Sequence, residues 1–197
     1  MQQKESKDRL EVMLDMETCD TAETAAILEI ALIPFMLDGS SVNESIIHHT
    51  IDLTSCFMAG MTFSKETQLW WNTSQQTSRA RANLIINEKK SIGNSFQEIE
   101  SWFNQLNETY DIHLWCRGLN FDIPKFERCF RRLLGLKNMP YRWWNLEDAR
   151  TYCRAFNVHS TDIEFDGTPH SALDDCRHQI KLVQQAFSVR TNLFPMP

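Results

Sequence analysis

From Leu10 the chain alternates with period two: Leu10, Val12, Leu14 and Met16 fall on one side, Glu11, Met13, Asp15 and Glu17 on the other. That spacing predicts a strand. A second apolar run, Ala25 to Leu37, is broken only by Glu29 and Pro34. Asp38-Gly39 then reads as a turn, and Val42 to Ile51 can pair back as a third strand. The first third of the chain therefore predicts an antiparallel meander.

After Ser64 the spacing becomes helical, over Ser64 to Asn72 and Ser78 to Asn87. Ser95-Phe96-Gln97-Glu98 has the serine-to-glutamate interval of a capping box and predicts a helix running to Glu108. Ile112, Leu114 and Cys116 form a short strand, and Gly118 turns the chain. Pro124 suits the first turn of a helix, whose buried stripe is Ile123, Phe126, Phe130 and Leu133 and whose stop is Gly135. Arg142 to Trp144 predicts a short strand, Asn145 to Phe156 a helix, and Asn157 to Pro169 a polar loop. A last helix begins near Ser171. Strands first, then alternating helix and strand, predict an α/β or α+β fold with a mixed sheet.

A length of 197 residues with 42% apolar and 23% charged residues fits one soluble domain, drawn over residues 10–190 with polar tails at 1–9 and 191–197. A chain of this size buries roughly two-thirds of its unfolded surface without staples. No apolar window is long enough to span a membrane. The polar start MQQKESKDRL is not a secretory signal. The six widely spaced cysteines, with no CxxC pair, read as reduced and mostly buried thiols of a cytoplasmic protein. The net charge of −6 argues against a passive nucleic-acid coat, but not against an enzyme that meets nucleic acid through metal ions. Basic residues are nevertheless concentrated between Arg117 and Arg142, where seven stand against Asp122 and Glu127.

The candidate chemistry is carboxylic. Asp15 and Glu17, two apart on a strand, point to one face, where they repel each other and resist desolvation. They are either a solvated strand end or the ligands of a divalent cation. Asp122, in WCRGLNFDIP, is either a ligand or an acid at a helix N-terminus. In His170-Ser171-Ala172-Leu173-Asp174-Asp175, Ser171 and Asp174 have N-cap spacing. At 100° per residue Asp175 falls inside the apolar arc of the following helix and Asp174 nearly opposite, toward solvent. A buried acid needs a partner or a cation, so Asp175 is the functional candidate. His170 is a loop histidine, ordinary or catalytic.

Together these segments resemble the DEDDh exonuclease superfamily, with its RNase H-like fold. Asp15-Met16-Glu17-Thr18 matches the first motif, Trp115-Cys116-Arg117-Gly118 through Phe121-Asp122-Ile123-Pro124 the second, and His170 through Asp175 the third. The match spans Leu10 to Phe187. Leu69-Trp70-Trp71, with Gln75 or Gln76 after it, is similar to the phage and bacterial branch that holds DNA exonucleases and RNase AS-like exoribonucleases. RNase T, oligoribonuclease and polymerase proofreading subunits are more distantly similar.

The resemblance implies a five-stranded mixed sheet, three antiparallel strands followed by two parallel ones, flanked by helices. It implies two Mg²⁺ or Mn²⁺ ions held by Asp15, Glu17, Asp122 and Asp175, with His170 as general base. It implies 3′→5′ hydrolysis of single-stranded DNA or RNA from a free 3′ end, releasing nucleoside 5′-monophosphates, in the cytoplasm of a bacterial or phage-infected cell, and by analogy a homodimer. Candidate substrate contacts are Met16, Thr18, Trp70, Trp71, Arg117, Phe121 and Lys125. The basic run Lys125, Arg128, Arg131 and Arg132 either follows a phosphate backbone or is a solvated helix face. Trp70, Trp71, Trp143 and Trp144 could stack on bases, one or two of them at most. His48-His49, His113, His159 and His178 lack metal-ligand spacing. The competing class is a nucleic-acid-binding module that kept the fold and lost catalysis.

Overall fold

The period-two stretch from Leu10 becomes the central strand of the sheet, β1 (Asp8–Thr18). The computed structural model describes residues 7–194. Residues 1–6 of the expected N-terminal tail therefore lie outside it, and Asp8 and Arg9 already belong to β1. Strands β2 (Ile27–Phe35) and β3 (Ile47–Ile51) complete the meander, and β5 (Tyr110–Cys116) and β6 (Leu146–Asp148) run parallel to β1 on its other side. A two-residue strand, β4 (Lys89–Lys90), lies parallel to β3, so the order is β4-β3-β2-β1-β5-β6. The sheet is six-stranded rather than the five expected. Lys89 and Lys90 carry no apolar alternation that could have announced the extra edge.

Both faces of β1 are covered. Leu10, Val12, Leu14 and Met16 pack with α4 (Ile92–Thr109) and α5 (Leu119–Leu134), through residues such as Phe96, Phe103, Phe126 and Phe130. Met13 packs on the opposite face with Ala31, Trp115 and the apolar stripe of α7 (Ala172–Leu193). The acid between them, Glu11, is buried; it accepts the Trp115 indole N–H at 2.6 Å and pairs with Arg9.

Several boundaries differ from the sequence expectation, each for a local reason. The third strand starts at Ile47, not Val42. A helix α1 (Leu53–Met58), capped by Asp52, follows it, ahead of α2 (Lys65–Thr73) and α3 (Ser78–Ile86). Helix α4 starts at Ile92, capped by Ser91, whose hydroxyl accepts the Asn94 N–H. Ser95 is therefore inside the helix and buried, bonded to His49 Nδ1 at 2.8 Å, while Glu98 pairs with Lys90 and His49. The expected capping box is a side-chain network instead. Helix α5 begins at Leu119 behind a left-handed Gly118, which places Pro124 inside the helix rather than in its first turn. Arg142 to Trp144 is not a strand: Trp143–Asn145 is a 3₁₀ turn, β6 follows it, and α6 (Ala149–Ala155) starts four residues later than Asn145, capped by Asp148. Among the described residues no helix is long and apolar enough to cross a membrane. All six cysteines are free and buried.

Candidate active site

The first two carboxylates project from the end of β1, where the sheet switches from its antiparallel to its parallel half. Ligands characteristically bind at the carboxyl ends of strands at such a switch. The β1–β2 register shifts between Glu17 and Thr18, an irregularity of the kind that re-aims side chains beside a site. Asp122 enters from the first turn of α5, whose start beyond β5 brings it to Asp15, and is 4% exposed. Asp175 comes from the first turn of α7. One ligand oxygen each from Glu17 and Asp175 and one ring nitrogen of His170 lie within 4.8 Å of one another.

Burial dominates the electrostatics. Desolvation, then repulsion from Asp122 and Asp175, pushes Asp15 well above the usual carboxylate range. Desolvation, then Asp15 and Asp175, does the same to Glu17. Desolvation raises Asp122 to about 7 against the opposing pull of Lys125 and Arg150, and raises Asp175 to about 6 against the hydrogen bond from His170. Among the described residues no lysine or arginine forms an ion pair with these four acids; Lys125 and Arg150 only moderate Asp122, and His170 stands 3.8 Å from Glu17. The all-oxygen donor set suits hard divalent cations, so these residues fit the implied metal centre.

His170 adopts a left-handed backbone, φ 63°, unusual for a non-glycine residue. Its N–H donates to Asp175 Oδ2 at 3.0 Å, and its Nδ1 lies 3.8 Å from Glu17 Oε1. The Trp70 ring meets the imidazole edge-on, centroids 5.0 Å apart. Burial lowers the His170 pKa, which favours the neutral ring that a proton acceptor needs.

Asp174 is corrected. Its side chain is only 20% exposed and does not point freely to solvent. It accepts the Thr168 N–H at 2.9 Å and pairs with Arg177. It also packs on Gly167, where a Cβ would fall 2.6 Å from its carboxyl carbon. Asp174 thus staples the loop that carries His170. Ser171 makes no side-chain cap bond; the helix N-terminus is capped from outside.

That external cap is Glu29, which the sequence reading passed over as an interruption of an apolar run. It is 3% exposed, lies opposite Glu17, accepts the Ala172 N–H at 2.8 Å and contacts His48 Nε2. Gln179 was missed as well. One turn beyond Asp175, its Nε2 donates to Asp15 Oδ1 at 2.8 Å. Each is a polar residue within an apolar pattern, and that was the available signal.

A cleft of ≈ 390 Å³ opens beside Glu17, lined by Met16, Thr18, Trp70, Trp71 and Phe121 among others. Only part of this lining offers free groups. Met16 is buried in the core; the Thr18 hydroxyl is bonded to Asp20 O, and its carbonyl accepts the Trp71 indole N–H at 3.0 Å. Trp71 is a buried wall, whereas Trp70 and Phe121 are 40% and 39% exposed. Lys125 is not on a solvated basic face. It is 2% exposed, with its ammonium bonded to Phe121 O and 3.3 Å from the Phe121 ring centre. Arg131 pairs with Glu127, and Arg132 is exposed. Arg117 lies outside the Trp70 cleft and lines a separate one.

Comparison with known proteins agrees with this fold. An exodeoxyribonuclease of Enterobacteria phage T4 is 26% identical over 212 residues, covering 94% of this chain and 92% of the relative. The nuclease domain of 3′hExo, a DEDDh family member solved bound to rAMP, superposes with a TM-score of 0.58 at 15% identity, covering 97% of this chain and 94% of that one. E. coli Exonuclease I, solved with a dA13 oligonucleotide, superposes at 0.57 and 16% identity over 92% of this chain and 42% of its own. The family model for the 3′-5′ exoribonuclease Rv2179c-like domain matches residues 10–187. The chain therefore belongs to that family, as a hydrolytic 3′–5′ exonuclease, and has the fold of the DEDDh nuclease it superposes on.

Proposed function

We propose that the protein removes nucleotides one at a time from the 3′ end of single-stranded nucleic acid, releasing nucleoside 5′-monophosphates. What supports this reading is that Asp15, Glu17, Asp122 and Asp175, from three chain segments, lie largely out of solvent and near enough to repel one another, with ligand atoms of Glu17, Asp175 and His170 within 4.8 Å of each other. These four residues would hold two divalent cations, Mg²⁺ or Mn²⁺, which would stabilise the attacking and leaving oxygens of phosphodiester hydrolysis as Lewis acids. Glu29 and Gln179 orient the carboxylates and the α7 N-terminus around them. His170, neutral through burial, takes the proton of the attacking water. Its ring nitrogen lies within 4.8 Å of oxygens of Glu17 and Asp175, and a pKa lowered by burial leaves that nitrogen able to accept a proton.

The exposed faces of Trp70 and Phe121 offer stacking surfaces for the terminal base. Trp71 and the α2 residues Glu66 and Thr67 form a wall of the same cleft, against which a terminal nucleotide would be seated. A free 3′ end is the proposed substrate, and a paired end must first be unstacked. The family's description names RNA and the phage relative's name DNA. Matched 5′-labelled RNA and DNA strands, incubated with and without Mg²⁺, test both sugars. The expected result is a metal-dependent ladder shortening from the 3′ end, lost in Asp15→Asn and blocked by a 3′-phosphate. A protein that binds the strand without shortening it, or that cuts a closed single-stranded circle, would overturn the reading.

A further inference from the structure

A second cleft, of ≈ 190 Å³, opens between the turn after β5, helix α6, the segment 158–160 and α7, and shares no lining residue with the Trp70 cleft. Arg117, Arg150 and Arg154 line it together. Arg150 donates to the Arg117 carbonyl at 3.3 Å and lies across Gly118, 3.7 Å from where a Cβ would stand. Among the described residues the ion-paired arginines are Arg9, Arg131, Arg142 and Arg177, and none is in this cleft. Asp148, which feels the Arg150 charge, is already engaged by the N–H groups of Leu119 and Thr151.

Three guanidinium groups in one concave surface repel one another. Among the described residues no carboxylate forms an ion pair with them. The cleft is also wired to the metal-ligand cluster. Gln179, 5% exposed, forms part of its wall; its Nε2 holds Asp15, and its Oε1 has no hydrogen-bond partner among the described residues. One glutamine side chain thus touches both the cleft and the carboxylate cluster.

We propose that this cleft binds the phosphodiester on the 5′ side of the scissile bond, with Arg117, Arg150 and Arg154 as its ligands. Guanidinium forks suit a phosphate's paired oxygens. With the strand in place, the vacant Gln179 Oε1 accepts an N–H from a guanidinium drawn inward or from a bridging water. The assignment rests on the exonuclease reading and adds to it a second point of grip, which makes the rate depend on strand length.

The test compares a single-stranded oligonucleotide with the p-nitrophenyl ester of a nucleoside 5′-monophosphate, which has no upstream phosphate. In Arg150→Ala and Arg154→Ala the ratio of kcat/KM for strand over ester falls about tenfold, as expected for one charged hydrogen bond. The salt slope of strand binding drops by about one. Lys137→Ala removes an equal charge from an exposed loop outside the cleft and keeps the ratio. An unchanged ratio in the arginine variants, or an equal fall in Lys137→Ala, overturns the assignment. So does a matching loss of inhibition by free nucleoside 5′-monophosphate, which would make the cleft a product site. Fluorescence anisotropy of the labelled strand reads the salt slope without turnover. A wild type that hydrolyses neither substrate would therefore fail the exonuclease reading, while the binding measurement still decides the cleft.

Discussion

The backbone N–H of His170 donates to the Asp175 carboxylate at 3.0 Å, so the imidazole-bearing residue is held in its left-handed conformation by a member of the acidic cluster itself. The proposed metal ligand and the proposed base are thereby set by one contact. A change at Asp175 moves both, whereas a change at Asp174 acts on the loop alone.

Asp175→Asn keeps an oxygen for the His170 N–H and removes only the charge; the expected outcome is a folded protein that has lost nearly all activity. Asp174→Asn still accepts the Thr168 N–H and should keep most activity. Asp174→Ala should instead expose the 157–170 loop to limited proteolysis. Activity assays beside circular dichroism check all three. An active Asp175→Asn with an inactive Asp174→Asn would reverse the assignment of the two acids.

His170→Ala should lower kcat by ~10²–10⁴-fold with a much smaller change in KM. Burial lowers the His170 pKa below its ordinary 6.5, and the base acts only when neutral. The rate should therefore rise with pH through a midpoint on the acid side of 6.5 and flatten above it. A pH profile of single-turnover rates checks this, and an identical profile in His170→Ala would remove the general-base role.

How much of this was legible beforehand depends on what each residue's neighbours in sequence could reveal. Asp15 and Glu17 sit on a strand whose alternation is plain, and Asp175 falls within the apolar arc of a long helix, so their faces could be read directly. Asp174 had the opposite helix face and looked solvated, because Gly167 and Thr168, which cover it, belong to a loop with no periodicity. Lys125 looked like part of a basic strip. Its long side chain turns back over Phe121, a contact fixed by tertiary packing rather than spacing. The β6 region was misplaced because Trp143 and Trp144 resemble a strand in composition, yet they are exposed on a 3₁₀ turn.

Folded Asp122 and Asp175 have pKa values raised from 3.8 to about 7 and about 6. Between about 4 and 7 the native state therefore binds more protons than the unfolded chain, and stability falls as pH rises through that window. Metal-free protein should show a lower Tm at neutral pH than near pH ~5. Mg²⁺ binds the ionised form, so the Tm gain it gives should be larger at neutral pH than in acid. Calorimetry with and without Mg²⁺ checks both, and a Tm indifferent to Mg²⁺ at every pH would sink the four-carboxylate site.

Glu29 caps α7 from a neighbouring strand. Glu29→Ala strands the buried Ala172 N–H and removes the partner of His48, at about 1–3 kcal/mol. Because the same contact fixes the start of the helix that bears Asp175, kcat should fall more than stability alone explains. Glu29→Gln keeps an acceptor for Ala172 and should restore much of both. Chemical denaturation together with kcat at a temperature where every variant is folded separates the two effects.

Gln179 supplies the one hydrogen bond that lowers the pKa of Asp15, against burial and three neighbouring acids. Gln179→Leu should push that carboxyl still higher and leave it without a fixed orientation. More Mg²⁺ is then required to displace the proton, so the half-saturating Mg²⁺ concentration should rise by roughly 10–100-fold, the range for losing a group that orients a ligand. The shift should shrink as pH rises, since fewer protons then compete. Saturating metal should restore much of kcat, because Gln179 touches the proposed ligand Asp15 and not the reacting phosphate. Gln179→Glu behaves differently: it adds a negative charge against Asp15, strengthens proton uptake by the cluster, and steepens the pH dependence of metal binding. Mg²⁺ titrations at two pH values measure both. Equal half-saturation in wild type and Gln179→Leu would show that Asp15 is oriented without Gln179, and that the 2.8 Å bond is only packing.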